Sequence, residues 1–350
     1  MEDVLKHSSD NLSDYEYQEE ILQGVSRSFA LTIPQLPSGL RGVVVNAYLL
    51  CRIADTIEDE VTLSIEQKRF FFREFIKVLN GKAAPHNFAG ALFPLLSDNT
   101  LPSERDLVRN THRIIRITHG FGKRARAILK RCVTIMSEGM QHFQEGKDVH
   151  GLRELRDLDK YCYHVAGVVG ELLTDLFCDY SEEMAKKRKT LLRLAVSFGQ
   201  GLQMTNILKD LWDDRKRGAS WLPQDVFRQK GFDLKDLSGN QYCHAFGAGL
   251  SDLIGIAHAH LKNALNYTLL IPKREKGIRK FCLWAIGMAI LTLNNINKRR
   301  DFTAGGEVKV SRKAVKAAIM VTNVTLRSDY LLKLLFGLAG RGLPISTINP

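Results

Sequence analysis

Two acidic clusters of the same form, far apart in the chain, constrain its fold more than any other feature. The clusters are Asp55-Thr-Ile-Glu58-Asp59 and Asp210-Leu-Trp-Asp213-Asp214. Both read D-x-x-(E/D)-D, and both follow apolar runs of helical character, over residues 43–50 and 202–208. Positions i, i+3 and i+4 share one face of a helix, so each cluster directs three carboxylates to one side.

Carboxylates this close repel one another unless a cation holds them together. Their hard oxygen atoms suit Mg²⁺, which takes one or two carboxylates together with phosphate oxygens of a substrate. Two such faces, opposed across a pocket, would bind a diphosphate and promote its departure. The alternative is a solvated helix surface, the usual explanation of a single motif of this kind. Two copies after partly buried runs favour the metal site, because buried carboxylates without partners are costly.

Composition narrows the class of protein. The chain has 350 residues, of which 45% are hydrophobic, enough for a large core. Its formal net charge of +12 fits an anionic substrate, an anionic membrane surface or nucleic acid, and does not separate them. The six cysteines are scattered with no C-x-x-C pair, which predicts a reducing compartment and argues against a zinc site or a disulfide framework.

The two ends of the chain bear on targeting. The N-terminus is acidic and polar, unlike a secretory signal, and we expect residues 1–14 to form a flexible tail. No apolar stretch reaches the roughly 18–20 residues of a membrane span. The run Tyr330–Ala339 could lie on a bilayer, although a core helix is the favoured interpretation. We expect a cytoplasmic protein with no transmembrane span, and with peripheral contact at the inner face of the membrane as an option.

Helical patterns dominate the chain, and alternating strand patterns are almost absent. The predicted helices cover residues 15–32, 38–58, 64–79, 104–119, 122–144, 155–178, 181–214, 245–268, 276–299 and 311–337. Breaks are predicted at Pro34, Pro37, Pro85, Pro102, Gly146, Gly218 to Pro223, Gly231, Gly239, Pro272 and Gly305-Gly306. No linker divides the chain, so we predict one all-α domain over residues 1–350.

Basic residues lie beside both clusters. Arg52, three residues before Asp55, could bind a phosphate through a bidentate pair or form an intrahelical ion pair. Near the second cluster the basic residues are Lys209, Arg215, Lys216 and Arg217. This arrangement suits a magnesium-bound diphosphate, and the alternative is a helix end whose cations complement the helix dipole.

Three further segments carry candidate chemistry. Tyr161 and His164 open an apolar helix and are candidate proton carriers, although each alone is more often a core residue. The segment Ser26-Arg27-Ser28-Phe29 could bind an anion or cap a helix. The stretch from Lys309 to Lys313 could grip a cofactor phosphate or be a solvated helix start. Neither a Walker A sequence nor a G-x-G-x-x-G after a strand occurs, which argues against a Rossmann cofactor site.

Four segments together resemble the squalene and phytoene synthases, the head-to-head prenyl synthases. The segments are Ser26–Ala30, Tyr48–Asp59, Asp159–Gly170 and Gln203–Asp214, with Trp221-Leu-Pro223 after the last. They occur in the family's order and at its spacing, and weaker likeness extends the resemblance over most of residues 20 to 325. Within the family the chain is most similar to squalene synthases of the bacterial type.

The resemblance implies a single-domain isoprenoid-synthase helical bundle with a central active-site cavity. It also implies that two farnesyl diphosphates join head to head through presqualene diphosphate, which NADPH then reduces to squalene. The implied ligands of Mg²⁺ and diphosphate are Asp55, Glu58, Asp59, Asp210, Asp213 and Asp214. The implied catalytic residues are Tyr161, near the proton that leaves as the cyclopropane forms, together with Asp55, Asp59, Asp210 and Asp214. The implied substrate-binding residues are Arg27, Ser28, Tyr48, Arg52, Lys209 and Arg217. The residues implied for the NADPH half-site are Asn206, Phe281, Lys309, Arg312 and Lys313.

Departures from the family pattern leave alternatives open. Lys209 stands where Arg is common, Asp213 stands where Glu is common, and the segment at Lys309 carries an extra residue. The main alternative is a non-reducing relative that makes dehydrosqualene, presqualene diphosphate or phytoene, although the basic segment favours the reducing enzyme. A non-catalytic basic binding protein would be expected to have damaged acidic motifs, and both are intact. We expect a monomer that binds no nucleic acid.

Overall fold

The structure, a computed structural model, describes residues 13–145, 149–237 and 242–348. Every regular element in these three stretches is a helix, and their β-structure is limited to an isolated parallel bridge between Leu152 and Pro223. The predicted all-α fold is therefore confirmed.

The chain forms two compact units, residues 1–145 and 146–350, and each is described by itself. The helices described in the first unit are α1 (Asp14–Val25), α2 (Phe29–Thr32), α3 (Ser38–Asp59), α4 (Ile65–Leu79), α5 (Pro85–Leu92), α6 (Pro102–Arg109), α7 (Thr111–Gly120) and α8 (Lys123–Glu145). The single domain predicted over residues 1–350 stays a prediction.

Helix α3 forms the centre of the first unit, where it contacts α1, α4, α6, α7 and α8. Along it, Val45, Leu49, Ile53 and Ile57 repeat every four residues and are fully buried. Burial of each such side chain contributes about 1.5–3 kcal/mol, so this stripe fixes the helix in the core. The first acidic cluster occupies the C-terminal end of α3 and therefore lies on a rigid element.

Helix α12 has the same central role in the second unit. The helices described there are α9 (Leu155–Cys162), α10 (Val168–Tyr180), α11 (Glu182–Ala185), α12 (Arg188–Lys216), α13 (Gln224–Arg228), α14 (His244–Leu270), α15 (Lys276–Lys298), α16 (Arg312–Thr325) and α17 (Asp329–Ala339). A π-helical turn, Tyr163–Gly167, joins α9 to α10. Helix α12 contacts this turn, α10, α14 and α15, and it carries the second acidic cluster at its C-terminal end.

Glycine permits the close approach of α12 to its neighbours. A β-carbon at Gly199 would lie 2.2 Å from the carbonyl oxygen of Ala166 in the π-helical turn. A β-carbon at Gly170 would lie 2.2 Å from the carbonyl oxygen of Ala195 on α12. Since real β-carbons do not approach backbone oxygen atoms this closely, the packing of the Tyr161 segment on α12 requires glycine at both positions.

Several predicted helices are divided in the structure. The predicted helix 15–32 ends at Val25, and Ser26 then accepts a hydrogen bond from the backbone of Phe29 at the start of α2. The predicted helix 311–337 is divided into α16 and α17, because Ser328 caps a new helix. The predicted helix 104–119 is divided at Asn110, 155–178 contains the π-helical turn, and 181–214 is divided into α11 and α12.

Two predicted breaks are helix starts instead. Pro85 and Pro102 are the first residues of α5 and α6. Proline suits this position because its fixed φ is helical and the N–H it lacks would have no partner there. The breaks predicted at Gly146 and Gly239 lie outside the described residues.

The flexible tail predicted over residues 1–14 is wrong for Ser13 and Asp14. Residues 1–12 lie outside the described residues, whereas Ser13 and Glu16 form a capping box that begins α1. Asp14 pairs with Arg113 at 3.0 Å and with Arg116 at 2.7 Å, both on α7. These contacts tie the start of α1 to the first unit. None of the helices in the three described stretches is both long enough and apolar enough to cross a membrane.

Candidate active site

The first acidic cluster places its three carboxylates in different surroundings. About one third of the Asp55 side chain is exposed, Asp59 is exposed, and Glu58 is buried. Burial raises the pKa of Asp55 to about 6, and the charges of Asp59 and Glu104 add to the rise while Arg52 opposes it. Asp55 therefore titrates close to neutrality, where a bound cation would strongly favour its ionised form.

Arg52 links this cluster to a carboxylate that the sequence analysis missed. Its Nη1 lies 3.5 Å from Asp55 Oδ2, and its Nη2 donates to Glu104 Oε1 on α6. Only 11% of the Glu104 side chain is exposed. Arg52 therefore forms the intrahelical ion pair, and its guanidinium also lies at the acidic end of α3. Its predicted contact with a phosphate stays a prediction. No sequence pattern joins positions 52 and 104.

Glu58 is directed into the unit by contacts with α4 and α8. Gln144 Nε2 donates to Glu58 Oε1 at 3.5 Å, and Lys68 Nζ donates to the Glu58 backbone oxygen at 2.5 Å. Lys68 itself is buried. These contacts support a structural role for Glu58, and its predicted role as a metal ligand stays a prediction.

The remaining substrate residues of the first unit lie at the junction of α1, α2 and α3. Tyr48 donates to the Val25 carbonyl oxygen at 3.1 Å and packs on Phe29 with ring centroids 5.1 Å apart. Ser26, buried, caps α2, whereas Arg27 and Ser28 are exposed. The capping alternative therefore applies to Ser26, and Arg27 and Ser28 are free to meet an anion from solvent.

The second acidic cluster has basic partners on its own helix and directly after it. Lys209 Nζ lies 3.1 Å from Asp210 Oδ2, and Arg217 Nη2 lies 2.6 Å from Asp214 Oδ1. Arg215 is used differently, since it donates to the backbone oxygens of Val149 at 2.6 Å and Leu237 at 2.7 Å. Lys209 and Arg217 therefore lie beside the cluster, and their roles in binding substrate stay predictions. Arg215 fastens the end of α12 to neighbouring loops.

The Gly305 segment lies directly on this cluster, which the sequence analysis did not predict. A β-carbon at Gly305 would lie 3.0 Å from Asp213 Oδ2, 3.1 Å from Asp210 Oδ1 and 2.9 Å from the Lys209 carbonyl oxygen. Trp212 Nε1 donates to the Phe302 carbonyl oxygen at 2.6 Å, which anchors the start of the segment. Only a residue without a side chain fits between this segment and the carboxylates.

Tyr161 is buried beside the π-helical turn. Its ring stacks on Trp221 with centroids 3.8 Å apart and planes 8° apart. His164 Nδ1 lies 2.8 Å from the Lys160 carbonyl oxygen, which satisfies one nitrogen of that ring within its own helix. Single-turn π-helical insertions are frequent at functional sites. The stacking partner Trp221 comes from the Trp221-Leu-Pro223 motif and was not predicted as a site residue.

The predicted cofactor residues are distributed over the second unit. Asn206 is exposed on α12, and Phe281 is buried on α15 with its ring edge on Phe177, centroids 6.2 Å apart. Exposed side chains are also found at Lys309, Arg312 and Lys313. Asn295 Nδ2 donates to the Val308 carbonyl oxygen at 3.1 Å and so fixes the backbone before Lys309. Their roles in binding NADPH stay predictions.

The carboxylates of the two clusters are suited to Mg²⁺. Within residues 13–145, 149–237 and 242–348, no group of three or more His, Cys, Asp or Glu side chains is placed to hold a metal by itself. Mg²⁺ usually takes one or two protein carboxylates and completes its shell with water and phosphate oxygens. Each cluster supplies such carboxylates, with partly exposed Asp55 and Asp210, so the residues fit an ion that arrives with its diphosphate.

An all-α chain with two helix-borne acidic clusters, each beside Arg or Lys, has the features of an enzyme that handles diphosphates. Comparison with known proteins identifies the group: the profile of the family "Squalene/phytoene synthase" matches residues 22–314. The chain belongs to this family.

Curated relatives agree with this assignment. Squalene synthase ERG9 of Candida albicans is 30% identical over 314 residues, 88% of this chain and 67% of the relative. Squalene synthase of Schizosaccharomyces pombe is 28% identical over 312 residues, 88% of this chain and 65% of the relative. The chain thus spans about two thirds of the length of these relatives. Both are fungal, and the bacterial type predicted for this chain stays a prediction.

Two solved structures share the fold. A complex of TcSQS with the ligand E5700 has a TM-score of 0.72 at 23% identity and covers 93% of this chain and 90% of that chain. A dehydrosqualene synthase in complex with a ligand has a TM-score of 0.67 at 23% identity, covering 90% and 97%. The predicted recognition of the family and its helical fold are therefore confirmed.

Proposed function

We propose that this chain is a squalene-forming prenyltransferase that joins two farnesyl diphosphates and reduces the product with NADPH. The observation that carries the proposal is membership of the squalene/phytoene synthase family with both acidic clusters intact. The names of the curated relatives support squalene as the product.

In the first half-reaction, the C1–O bond of one farnesyl diphosphate breaks and its electron pair leaves with the diphosphate. The double bond of the second molecule attacks C1, and a proton is lost as the cyclopropane of presqualene diphosphate closes. Tyr161, buried beside Trp221, is the candidate for the group near that proton. The buried ring pair would also keep water from the allylic cation.

Positive charge is needed where the diphosphate leaves. Arg52, Lys209 and Arg217 lie next to acidic residues of the two clusters, so they would contact a diphosphate bound there. When bound, Mg²⁺ would neutralise part of the diphosphate charge and so improve it as a leaving group. The ligands proposed for it are the carboxylates of Asp55, Asp59, Asp210, Asp213 and Asp214, with Glu58 as a further candidate.

In the second half-reaction, the remaining diphosphate leaves and the carbon skeleton rearranges. NADPH, when bound, would supply the hydride that ends the reaction. Lys309, Arg312 and Lys313 are exposed cations that suit its phosphates, and Gly305 brings their segment against Asp210 and Asp213. This adjacency favours a reducing enzyme over the second candidate, a non-reducing relative that stops at dehydrosqualene or presqualene diphosphate.

The proposal includes the setting of the reaction. We place the enzyme in the cytoplasm as a monomer without a nucleic-acid partner, and we include peripheral contact with a membrane for release of the apolar product. Six free cysteines among the described residues agree with a reducing compartment.

The test is product analysis by mass spectrometry after incubation with farnesyl diphosphate and Mg²⁺, with and without NADPH. Squalene with NADPH, and presqualene diphosphate accumulating without it, is the expected result. Dehydrosqualene or presqualene diphosphate in both reactions would transfer the assignment to the non-reducing relatives. No product from farnesyl or geranylgeranyl diphosphate would contradict the enzyme assignment, provided circular dichroism shows the protein folded. The matched inactive control is Asp210→Asn.

A further inference from the structure

The second unit contains a small cavity beside the second acidic cluster, and none of the predicted site residues lines it. Its volume is about 200 Å³, and its walls include the aromatic residues Trp212, Tyr242, Phe246 and Phe302 and the ionic residues Arg300 and Asp301. A cavity of this size holds one ring system rather than a whole drug-sized ligand.

Trp212 and Tyr242 are aromatic walls that a ligand can reach, because both are partly exposed, whereas Phe246 is buried. Trp212 Nε1 donates to the Phe302 carbonyl oxygen at 2.6 Å, so its polar atom is satisfied and its ring remains as apolar surface. The Tyr242 hydroxyl lies against Gly247 of α14, where a β-carbon would be only 2.3 Å away. Aromatic side chains held in this way stack on the π face of a nucleobase.

The ionic residues of the cavity have hydrogen-bonding capacity to spare. Arg300 donates to Asn297 Oδ1 from Nε at 3.2 Å and from Nη2 at 2.6 Å, and these bonds leave Nη1 for a ligand. The Asp301 carboxylate has no hydrogen bond or ion pair with any residue in the three described stretches. A carboxylate accepts from the amino group of adenine, and a guanidinium binds a phosphate.

The cavity and the basic segment assigned to NADPH are held by the same helix end. Phe302 in the cavity wall begins the segment that leads to Lys309, and Asn295 on α15 donates to the Val308 carbonyl oxygen at 3.1 Å. Arg300 directly follows the end of α15. The cavity and the basic segment therefore belong to one binding region.

The position of Trp212 on α12 decides which end of NADPH suits the cavity. An α-helix turns by about 100° per residue, so Trp212 points about 160° away from Asp210. The nicotinamide must reach the substrate carbon that loses the diphosphate, which the acidic cluster is proposed to hold. The nicotinamide therefore belongs on the side of Asp210, and the adenosine end of the cofactor belongs on the side of the cavity.

We propose that this cavity binds the adenine base of NADPH between Trp212 and Tyr242. Asp301 accepts from the 6-amino group of the base, and Arg300 binds the 2′-phosphate. An arginine at this phosphate favours NADPH over NADH. The inference rests on the proposed function, since it assigns further residues to the cofactor which that function requires.

Binding of adenosine 2′,5′-bisphosphate, the part of NADPH assigned to the cavity, tests the proposal without turnover. Isothermal titration calorimetry on the full-length protein should show saturable binding. Tyr242→Ala should weaken it roughly tenfold, because one stacking ring is lost. Tyr242→Phe keeps the ring and should bind as the native protein does. The matched control is Tyr180→Ala, at a residue that is 44% exposed in the same unit.

Two substitutions test the polar contacts. Arg300→Gln should lower the affinity for adenosine 2′,5′-bisphosphate roughly tenfold and leave that for adenosine 5′-monophosphate unchanged, since only the 2′-phosphate loses a partner. The control Arg274→Gln, at a side chain 68% exposed, should change neither affinity. Asp301→Asn should bind the hypoxanthine analogue of the bisphosphate more tightly than the native protein does, because an amide donates to the carbonyl that replaces the amino group.

Kinetics separate this proposal from the proposed function. Without NADPH, Tyr242→Ala should form presqualene diphosphate at the native rate, whereas its KM for NADPH in squalene formation should rise roughly tenfold. No binding of the bisphosphate by the native protein, or equal binding by Tyr242→Ala and Tyr180→Ala, overturns the base site even if squalene is formed. Binding that Tyr242→Ala weakens, in a protein that forms no squalene, would support the base site and contradict the proposed function.

Discussion

Asp55 is a residue on which stability and function make opposite demands. Burial raises its pKa from 3.8 to about 6, and the charges of Asp59 and Glu104 add to the rise although Arg52 opposes it. Without a bound cation, the folded protein therefore holds the Asp55 proton more tightly than the unfolded chain does. The ionised carboxylate, which a metal-bound diphosphate would need, destabilises the fold above about pH 6.

Replacement of Asp55 by Asn should make the protein more stable and less active. At about pH 7 the variant should melt at a higher temperature than the native protein, because the unfavourable charge is gone. The gain should shrink as the pH falls from about 6 toward about 4, where the native carboxylate is itself protonated in the folded state. Turnover at pH 7 should fall by on the order of a hundredfold, since a candidate metal ligand is lost.

The matched control for Asp55 is Asp98→Asn, at an exposed position of the same unit. It should change neither melting temperature nor turnover beyond experimental error. Thermal unfolding followed by circular dichroism at several pH values gives the first quantity, and squalene formation gives the second. A less stable Asp55→Asn at pH 7 would mean that the ion pair with Arg52 outweighs the cost of burial.

Arg52 is the second residue with a sharp expectation, because its guanidinium contacts two carboxylates at once. Arg52→Lys keeps the charge but cannot contact Asp55, Glu104 and a phosphate in one plane. We expect kcat/KM for farnesyl diphosphate to fall roughly ten- to a hundredfold, with a smaller loss of stability. The control is Arg41→Lys, which pairs with Glu19 at 2.5 Å on a more exposed part of α3. Full activity of Arg52→Lys would mean that the guanidinium forms only an ordinary ion pair and does not contact the diphosphate.

The residues of this site differ in how far the sequence could predict them. Asp55, Arg52 and Lys209 follow from local spacing, because residues three or four apart on a helix lie together. Glu104 could not be predicted in this way, since it approaches Arg52 only when α6 packs on α3. Glu58 shows the converse limit: its spacing matches that of Asp55 and Asp59, yet its contacts turn inward to Gln144.

At the scale of elements, the 302–308 segment is the feature that connects the acidic and basic motifs of the second unit. Its start is held by Trp212 and its end by Asn295. Between them, Gly305 is buried against two carboxylates, while Gly306 is exposed with open space around it. Two adjacent glycines therefore have different roles, which gives a matched pair for experiment.

Gly305→Ala should impair the enzyme while Gly306→Ala should leave it nearly unchanged. The new methyl group at 305 would lie about 3 Å from Asp210 and Asp213 oxygens, so the carboxylates or the segment must shift. Displacements of this size commonly cost tenfold or more in turnover, and we expect roughly that loss. Melting temperatures should show a modest loss for Gly305→Ala, since overpacking typically costs about 1–3 kcal/mol. Equal activity of the two variants would contradict a close fit of the segment on the cluster.

Elements with strong periodicity were the predictable ones. Helices α3, α4, α8 and α15 agree with their predicted spans to within a few residues, because each has a buried stripe that sets its length. The helix boundaries that were predicted wrongly have local causes. At Ser26, Asn110 and Ser328 the apolar periodicity continues although the helix ends. The π-helical turn lies close against Gly199 of α12, and this tertiary contact has no counterpart in the periodicity of the sequence.

For the whole molecule, composition and motif content had separate roles. A net charge of +12 fitted several anionic partners, and only the ordered set of motifs selected one family. The excess of Lys and Arg is also unevenly distributed, with some of these residues beside the acidic clusters and others along α16 and α17. The proposed diphosphate site therefore accounts for only part of this charge.

At the scale of the whole molecule, two buried histidines should lower the stability of the folded protein in acid. His260 is 6% exposed with Nδ1 2.8 Å from Ser197 Oγ, and burial lowers its pKa to about 4. Burial, together with the charge of His86, also lowers the pKa of His112 in the first unit to about 4. A depressed histidine pKa means that the unfolded chain binds the proton more tightly, so stability present above about pH 6.5 is lost as the pH falls toward 4.

Titration of Asp55 changes the unfolding free energy in the opposite direction in this pH range. The pH dependence measured for the native protein therefore combines both effects, and only differences between variants separate them. His260→Gln removes the titration while keeping a group that can bond Ser197. Its loss of unfolding free energy between about pH 7 and pH 4.5 should be smaller than that of the native protein by roughly 2–3 kcal/mol. Urea unfolding at the two pH values measures this difference, with the exposed His244→Gln as the control. A pH dependence identical to that of the native protein would mean that His260 is already solvated when it takes up its proton, and that the packing of α12 on α14 opens before global unfolding.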